Sequence, residues 1–133
     1  MKHLKIIMAA ACACLGASMT LAETDSWVGF YQAIDPEDGS TNYMSIVPNA
    51  NGAYIIQVSV TEHAKCGAPA VFVATGRLVN GQMLREKTKL RCKGGEATEH
   101  QDAVYTLDAG TGIVSLSAPF DGRTLFYHRT SAR

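Results

Sequence analysis

The chain has 133 residues and a mass of 14.2 kDa, which is the size of one domain and leaves no room for two. Its 12 Lys and Arg residues balance 12 Asp and Glu residues, and this balance argues against a dedicated nucleic-acid-binding protein. Sixteen of the first 22 residues are apolar, so the rest of the chain is less apolar than the overall 47% suggests.

The N-terminal segment has the features of a secretory signal peptide. Two lysines among the first five residues precede an apolar or small run over 6–15, and small residues stand just before the first acidic ones. We expect a Sec-type signal cleaved after Ala22, and therefore a periplasmic or secreted bacterial protein with one folded domain over 23–133. The apolar run is shorter than the ~20 residues that span a bilayer, so no membrane span is expected. A membrane anchor and a lipoprotein attached at Cys12 are the alternatives.

Beyond this segment, apolar and polar residues alternate with a period of two, and turn residues separate the alternating stretches. The clearest stretch is 53–62, where every second residue from Tyr54 to Val60 is apolar. Asn80-Gly81 is typical of a two-residue hairpin turn, because both turn positions must tolerate a positive φ. The pattern predicts eight strands, at 27–34, 42–47, 53–62, 70–79, 82–92, 103–108, 113–118 and 124–130.

Eight sequential strands with short connections predict an all-β fold. The expected architecture is an eight-stranded antiparallel meander closed into a small barrel, because closure removes the exposed edge strands. A β-sandwich of two sheets is the alternative.

Two cysteines remain after the signal, and in an oxidising compartment they predict a disulfide between Cys66 and Cys92. A two-residue turn at Asn80-Gly81 places Cys92 opposite Pro69, three residues from Cys66, so the hairpin itself brings the two sulfurs close. A metal site that includes His63 and Cys66 is the alternative, although Cys92 lacks the closely spaced second ligand typical of zinc sites.

Trp27-Val28-Gly29-Phe30-Tyr31 on the first strand and Leu125-Phe126-Tyr127-His128-Arg129 on the last resemble the calycin pattern of lipocalins and their relatives. In that superfamily a first-strand Trp closes one barrel end and a basic residue packs over it, which implies structural roles for Trp27 and Arg129. The Trp-x-Gly order resembles the avidin type, whereas lipocalins have Gly-x-Trp, and the other lipocalin motifs are absent. The resemblance implies binding of a small apolar or amphipathic ligand.

The chain is also similar, over nearly its whole mature length, to uncharacterised secreted bacterial domains. Their pattern combines a Trp, an Asp-Gly-Ser turn, two cysteines and a terminal aromatic-x-Arg. The residues that fit it are Trp27, Asp38-Gly39-Ser40, Cys66, Cys92 and Tyr127-His128-Arg129.

Four basic residues alternate along the fifth predicted strand and should share one face of it. They are Arg85, Lys87, Lys89 and Arg91. Such a stripe is suited to an acidic partner. The alternative is an ordinary solvated outer face, whose charges also prevent strand-to-strand aggregation.

If that stripe faces water, Glu86 and Thr88 point into the barrel, and the hairpin pairing adds Thr75 and Arg77 to them. A buried carboxylate must be paired, hydrated or in contact with a ligand. Three alternatives follow: an internal Glu86–Arg77 ion pair, a ligand pocket, or a β-bulge that turns Glu86 outward. The candidate ligand-binding residues are Glu86, Arg77, Thr75, Thr88, Tyr54, Tyr105 and Tyr127.

The sequence contains no nucleophile elbow, phosphate-binding loop, zinc-protease helix or dinucleotide-binding fingerprint. We therefore predict no catalytic residue, cofactor or metal, and expect an exported, non-catalytic lipocalin-like barrel that binds a small molecule. One alternative is a protein-binding module, an inhibitor of or immunity-type factor against an exported enzyme. The other is a structural protein of the cell envelope.

Overall fold

The computed structural model describes residues 26–117 and 122–130. These residues form nine β-strands and a short 3-10 turn at Ala50–Gly52. The strands are β1 (Gly29–Ile34), β2 (Thr41–Pro48), β3 (Tyr54–His63), β4 (Ala68–Val79), β5 (Gln82–Cys92), β6 (Ala97–Glu99), β7 (Ala103–Leu107), β8 (Val114–Ser117) and β9 (Thr124–Arg129). The predicted signal peptide, 1–22, lies outside the described residues. Within them, no helix is both long and apolar enough to cross a membrane.

The strands close into an antiparallel barrel. Consecutive strands pair from β1 to β5, then β5 pairs with β7, β7 with β8 and β8 with β9. β1 completes the circle because it pairs with β2 on one side and with β9 on the other. The predicted eight-stranded antiparallel barrel is therefore confirmed, and the alternative β-sandwich is wrong.

β6 is the short strand that the alternation pattern did not predict. It pairs with the second half of β5, through Lys89 opposite Glu99, while β7 pairs with the first half, through Arg85 opposite Ala103. Both pairings belong to one register, so β6 and β7 together fill one position of the barrel wall. The break between them, at 100–102, lies opposite an irregularity in β5.

That irregularity is a β-bulge. Lys87 and Thr88 of β5 together lie opposite the single residue Ala74 of β4, and Lys87 has a φ of 55°. The extra residue shifts the pairing by one beyond the bulge, so that Cys92 lies opposite Ala70 and not opposite Pro69 as predicted.

The Asn80-Gly81 turn was predicted correctly. Asn80 has a φ of 51° and Gly81 a φ of 78°, the pair of positive values that a type I′ hairpin turn requires. The turn joins Val79 directly to its partner Gln82, so β4 and β5 form a long hairpin.

One end of the barrel is filled by large side chains. The fully buried ones in this region are Tyr31, Met44, Ile46, Ile56, Met83, Tyr105 and Val114. Packing is close enough that a Cβ built on Gly76 would lie 2.7 Å from Sδ of Met83 and 2.9 Å from Cδ1 of Ile56. A larger residue at position 76 would therefore displace the ends of the Met83 and Ile56 side chains.

Trp27, Tyr31 and Arg129 close this filled end, which we call the closed end. The Tyr31 hydroxyl donates to the Trp27 carbonyl at 2.7 Å and accepts from the Arg129 guanidinium at 2.7 Å. The same guanidinium donates to the carbonyls of Ser26 and Val28. The central carbon of the Arg129 guanidinium lies 4.8 Å from the centroid of the Tyr31 ring, so Arg129 covers Tyr31. The calycin resemblance implied that it would cover Trp27.

Candidate functional site

A cavity of about 370 Å³ occupies the opposite end of the barrel, which we call the open end. Its apolar wall is formed by Val58, Val60, Phe72, Ala103, Leu116 and Leu125. The volume lies within the ~300–1,000 Å³ typical of small-molecule sites. The barrel is thus packed at one end and hollow at the other.

Arg85 points into this cavity from β5 and is only 6% exposed. Its Nη1 donates to the Tyr105 hydroxyl at 3.1 Å, and its Nη2 donates to the Gln101 carbonyl at 3.3 Å. The guanidinium carbon lies 5.7 Å from the ring centroids of both Phe72 and Tyr105. These contacts hold the guanidinium in place, but none of them is to an anion.

The orientation of Arg85 corrects the prediction of a four-residue outward stripe. The bulge at Lys87 and Thr88 adds one residue to the period-two alternation, so Arg85 faces inward before the bulge while Lys89 and Arg91 face outward after it. Lys89 is ion-paired with Glu99 on the outer surface. The basic stripe predicted for a partner is therefore reduced to Lys87, Lys89 and Arg91, all of which are exposed.

The same bulge corrects the predicted inward positions of Glu86, Arg77 and Thr75. Glu86 and Arg77 do form the predicted ion pair, with Nε of Arg77 3.0 Å from Oε1 of Glu86, but on the outer surface, where the Arg77 side chain is 56% exposed. Thr75 lies opposite Glu86 on that outer face. The alternative in which a bulge turns Glu86 outward is the one that the structure shows.

The other four candidate ligand-binding residues are buried. Tyr127 lines the cavity, and Tyr105 lies beneath it as the partner of Arg85. The Thr88 side chain is fully buried, and its hydroxyl oxygen has no hydrogen-bond partner. Tyr54 is buried at the start of β3, toward the closed end. The cavity therefore contains one of the seven predicted residues, with two of the others close to Arg85 or to the bulge.

Tyr127 supplies a protonated hydroxyl to the site. Burial, reinforced by the neighbouring Tyr105, raises its pKa well above the ordinary value of 10.0. The two rings meet edge to face, with centroids 6.2 Å apart. Tyr127 is therefore neutral at all ordinary pH values.

His63, His100 and Phe72 form an aromatic cluster in the cavity wall. The two histidine rings are 5.9 Å apart, and the Phe72 centroid lies 5.2 Å from that of His63 and 5.0 Å from that of His100. Nδ1 of each histidine is buried without a hydrogen-bond partner. Sequence reasoning missed this cluster because the histidines are isolated in the chain, and only closure of the barrel brings β3, β4 and the 100–102 segment together.

Charged side chains lie at the rim of the cavity. Nη1 of Arg123 donates to both carboxylate oxygens of Asp35, at 3.0 and 3.1 Å, and is also ion-paired with Glu37. This contact ties the β1–β2 turn to the start of β9. Arg123 thus offsets one of the two negative charges in this group.

The disulfide between Cys66 and Cys92 is confirmed, with a Cα–Cα distance of 5.4 Å. It fixes the turn after β3 to the end of β5, next to His63, whose carbonyl accepts from the Cys66 N–H at 2.8 Å. Because both sulfurs are in the disulfide, neither can act as a metal ligand, and the alternative metal site at His63 and Cys66 is wrong.

Comparisons of the chain with protein-family models, curated proteins and solved structures gave no match.

The stability of the barrel should decrease in acid because of His100. Burial lowers its pKa from 6.5 to about 4, with smaller contributions from Arg85, His63 and Lys65. Between these two pH values the unfolded chain binds a proton that the folded protein does not bind, so unfolding becomes easier as the pH falls. We expect a loss on the order of 1–2 kcal/mol between pH 7.5 and 4.5, since the ring is only partly buried and solvent screens it.

Urea unfolding at the two pH values measures this loss. His100→Gln should reduce it, whereas His128→Gln, at an exposed position on β9, should leave it unchanged. An equal loss in wild type and His100→Gln would show that another group is responsible.

Proposed function

We propose that this protein is an exported, non-catalytic, lipocalin-like barrel that binds a small amphipathic molecule in its open-end cavity. The observation that carries the proposal is the cavity itself: about 370 Å³, lined by apolar side chains, with a few polar groups at its base and rim. Concave, mostly apolar sites with a small number of oriented polar groups are typical of small-molecule binding. The mouth of a β-barrel is one of the places where such sites occur.

The disulfide at the mouth supports the export part of the proposal. The disulfide joins two segments that border the cavity, and disulfides persist in oxidising compartments. A ligand-binding barrel that works outside the cytoplasm would keep the shape of its mouth in this way.

The first test uses a neutral fluorescent probe, N-phenyl-1-naphthylamine, so that binding does not depend on charge. We expect saturable enhancement of its emission with one site per chain. Trp27, the single tryptophan, lies at the closed end and should report unchanged emission if the fold is intact.

Two variants on adjacent residues of β7 provide the matched comparison. Ala103→Phe fills the cavity, because Ala103 lines it, and should weaken probe binding at least tenfold. Val104→Phe introduces the same side chain on the outer face, where Val104 is exposed, and should have no effect. Native mass spectrometry of protein purified from its own compartment should show added mass. Undetectable probe binding by wild type, or equal binding by the two variants, would overturn the proposal.

A further inference from the structure

Arg85 is a buried cation without an anionic partner. Only 6% of the residue is exposed, and its hydrogen bonds go to a hydroxyl and a backbone carbonyl. Across 26–117 and 122–130, no carboxylate lies within 4.0 Å of its guanidinium. Its Nε is buried and has no hydrogen-bond partner. A charge removed from water in this way is costly unless an opposite charge and further hydrogen bonds compensate it.

The fold holds Arg85 in this position. The bulge in β5 turns it inward, and Phe72 and Tyr105 lie at equal distances from its guanidinium carbon. Its two Nη atoms are engaged, which leaves the Nε edge unmatched. A positive group held in an apolar cavity before the ligand arrives favours binding, because little ordering remains to be done.

The neighbours of Arg85 add to this preference. His63 and His100 line the same cavity, and each has a buried Nδ1 without a partner. Burial is the main cause that lowers the pKa of both rings, so both are neutral at pH 7. A neutral imidazole still presents one N–H. The other charged residues of the cavity lie at its mouth: Asp38, Glu62 and Lys65 are exposed, and Asp35 is ion-paired with Arg123. Among the charged residues that line the cavity, Arg85 is therefore the buried one, and its charge dominates the base.

We propose that the ligand is an organic anion, with one anionic head group bound by Arg85 and by the unmatched nitrogens of His63 and His100, and a compact apolar body against the cavity wall. This assignment rests on the proposed function and specifies its ligand class. A planar guanidinium favours carboxylate-like oxygens, which accept hydrogen bonds along its edge. A cationic head group would be repelled by Arg85, and a neutral ligand would leave the buried charge uncompensated.

Three probes with eight carbons and different head groups test the charge: octanoate, octan-1-ol and octylammonium. Displacement of N-phenyl-1-naphthylamine at pH 7.5 and constant ionic strength gives their relative affinities. We expect octanoate to bind at least tenfold more tightly than octan-1-ol, and octylammonium more weakly than either. The preference for octanoate should decrease only modestly as the salt concentration is raised, because the site is buried.

Arg85→Met tests the residue. It removes the charge and leaves an apolar side chain, so in this variant octanoate should bind within about twofold of octan-1-ol. Arg91→Met is the matched control, because Arg91 is exposed on the outer face of the same strand. The thermal midpoint of Arg85→Met should not fall, since a buried unpaired charge has been replaced by an apolar side chain. If this variant does not fold, Arg85→Lys, which keeps the charge but lacks the planar edge, should show a reduced preference.

The outcomes separate the two proposals. Equal affinity of wild type for octanoate and octan-1-ol, with normal binding of the neutral probe, would overturn the anion assignment and leave the proposed function standing. A preference for octanoate that survives in Arg85→Met would overturn the role of Arg85. Failure of every probe, including the neutral one, would overturn both proposals.

Discussion

Replacing Arg129 by Met is expected to lower the free energy of unfolding by about 2–4 kcal/mol. The guanidinium donates to the carbonyls of Ser26 and Val28 and to the Tyr31 hydroxyl, and it covers the Tyr31 ring. A methionine removes all these donors at once and leaves three oxygen acceptors at the closed end without them. The segment before β1 would then no longer be fixed to β9.

Urea unfolding followed by Trp27 fluorescence measures this change directly, because Trp27 is part of the same network. Arg129→Lys keeps the charge without the forked geometry, and its free energy of unfolding should fall by about half as much as that of Arg129→Met. Tyr31→Phe deprives the Trp27 carbonyl of its donor and should lose about 1–2 kcal/mol. Arg91→Met, at an exposed position, should stay within about 0.5 kcal/mol of wild type. A loss below 1 kcal/mol for Arg129→Met would contradict a structural role for this contact.

Removing the disulfide is expected to cost a similar amount. In the chain-entropy account, the double variant Cys66→Ser with Cys92→Ser should lose about 3–4 kcal/mol, because the bond closes a loop with a sequence separation of 26 residues. Reduction of the wild-type protein should produce the same loss. Unfolding curves with and without a thiol reductant measure it, and the double variant should not respond to the reductant.

The disulfide should also affect the cavity. It holds the turn that contains His63 against the end of β5, so the reduced protein should bind N-phenyl-1-naphthylamine more weakly than the oxidised protein. The Arg129 variants, altered at the other end of the barrel, serve as the comparison at matched stability. Unchanged stability on reduction would show that hairpin pairing of β4 with β5 alone holds this end of the barrel.

Much of the fold could be predicted because its determinants are local. In β3, alternation of Tyr54, Ile56, Val58 and Val60 defines one buried face, and all four are buried. Asn80-Gly81 specifies a hairpin turn through backbone conformations that few residues adopt. That hairpin brings Cys92 close to Cys66 in a single chain segment, so the disulfide followed from short-range geometry.

The candidate site could not be predicted in the same way. A bulge of one extra residue reverses which face of the strand is buried beyond it. The bulge in β5 involves Lys87, which adopts a positive φ although it is neither a glycine nor an asparagine. Nothing in Glu86-Lys87-Thr88 marks that position. Regular alternation therefore assigned Arg85 to the surface and Glu86 to the interior, the reverse of what the structure shows.

The sequence alone determined the strand order, the hairpin turn and the cysteine pair, because each depends on residues that are neighbours in the chain or across one turn. Only the tertiary structure decided which end of the barrel is hollow and what lies inside it. Closure brings His63, Phe72, Arg85 and His100 together from separate strands and segments. Burial of an arginine is a property of this assembled environment, since the cost of burying its charge depends on partners that no local pattern specifies.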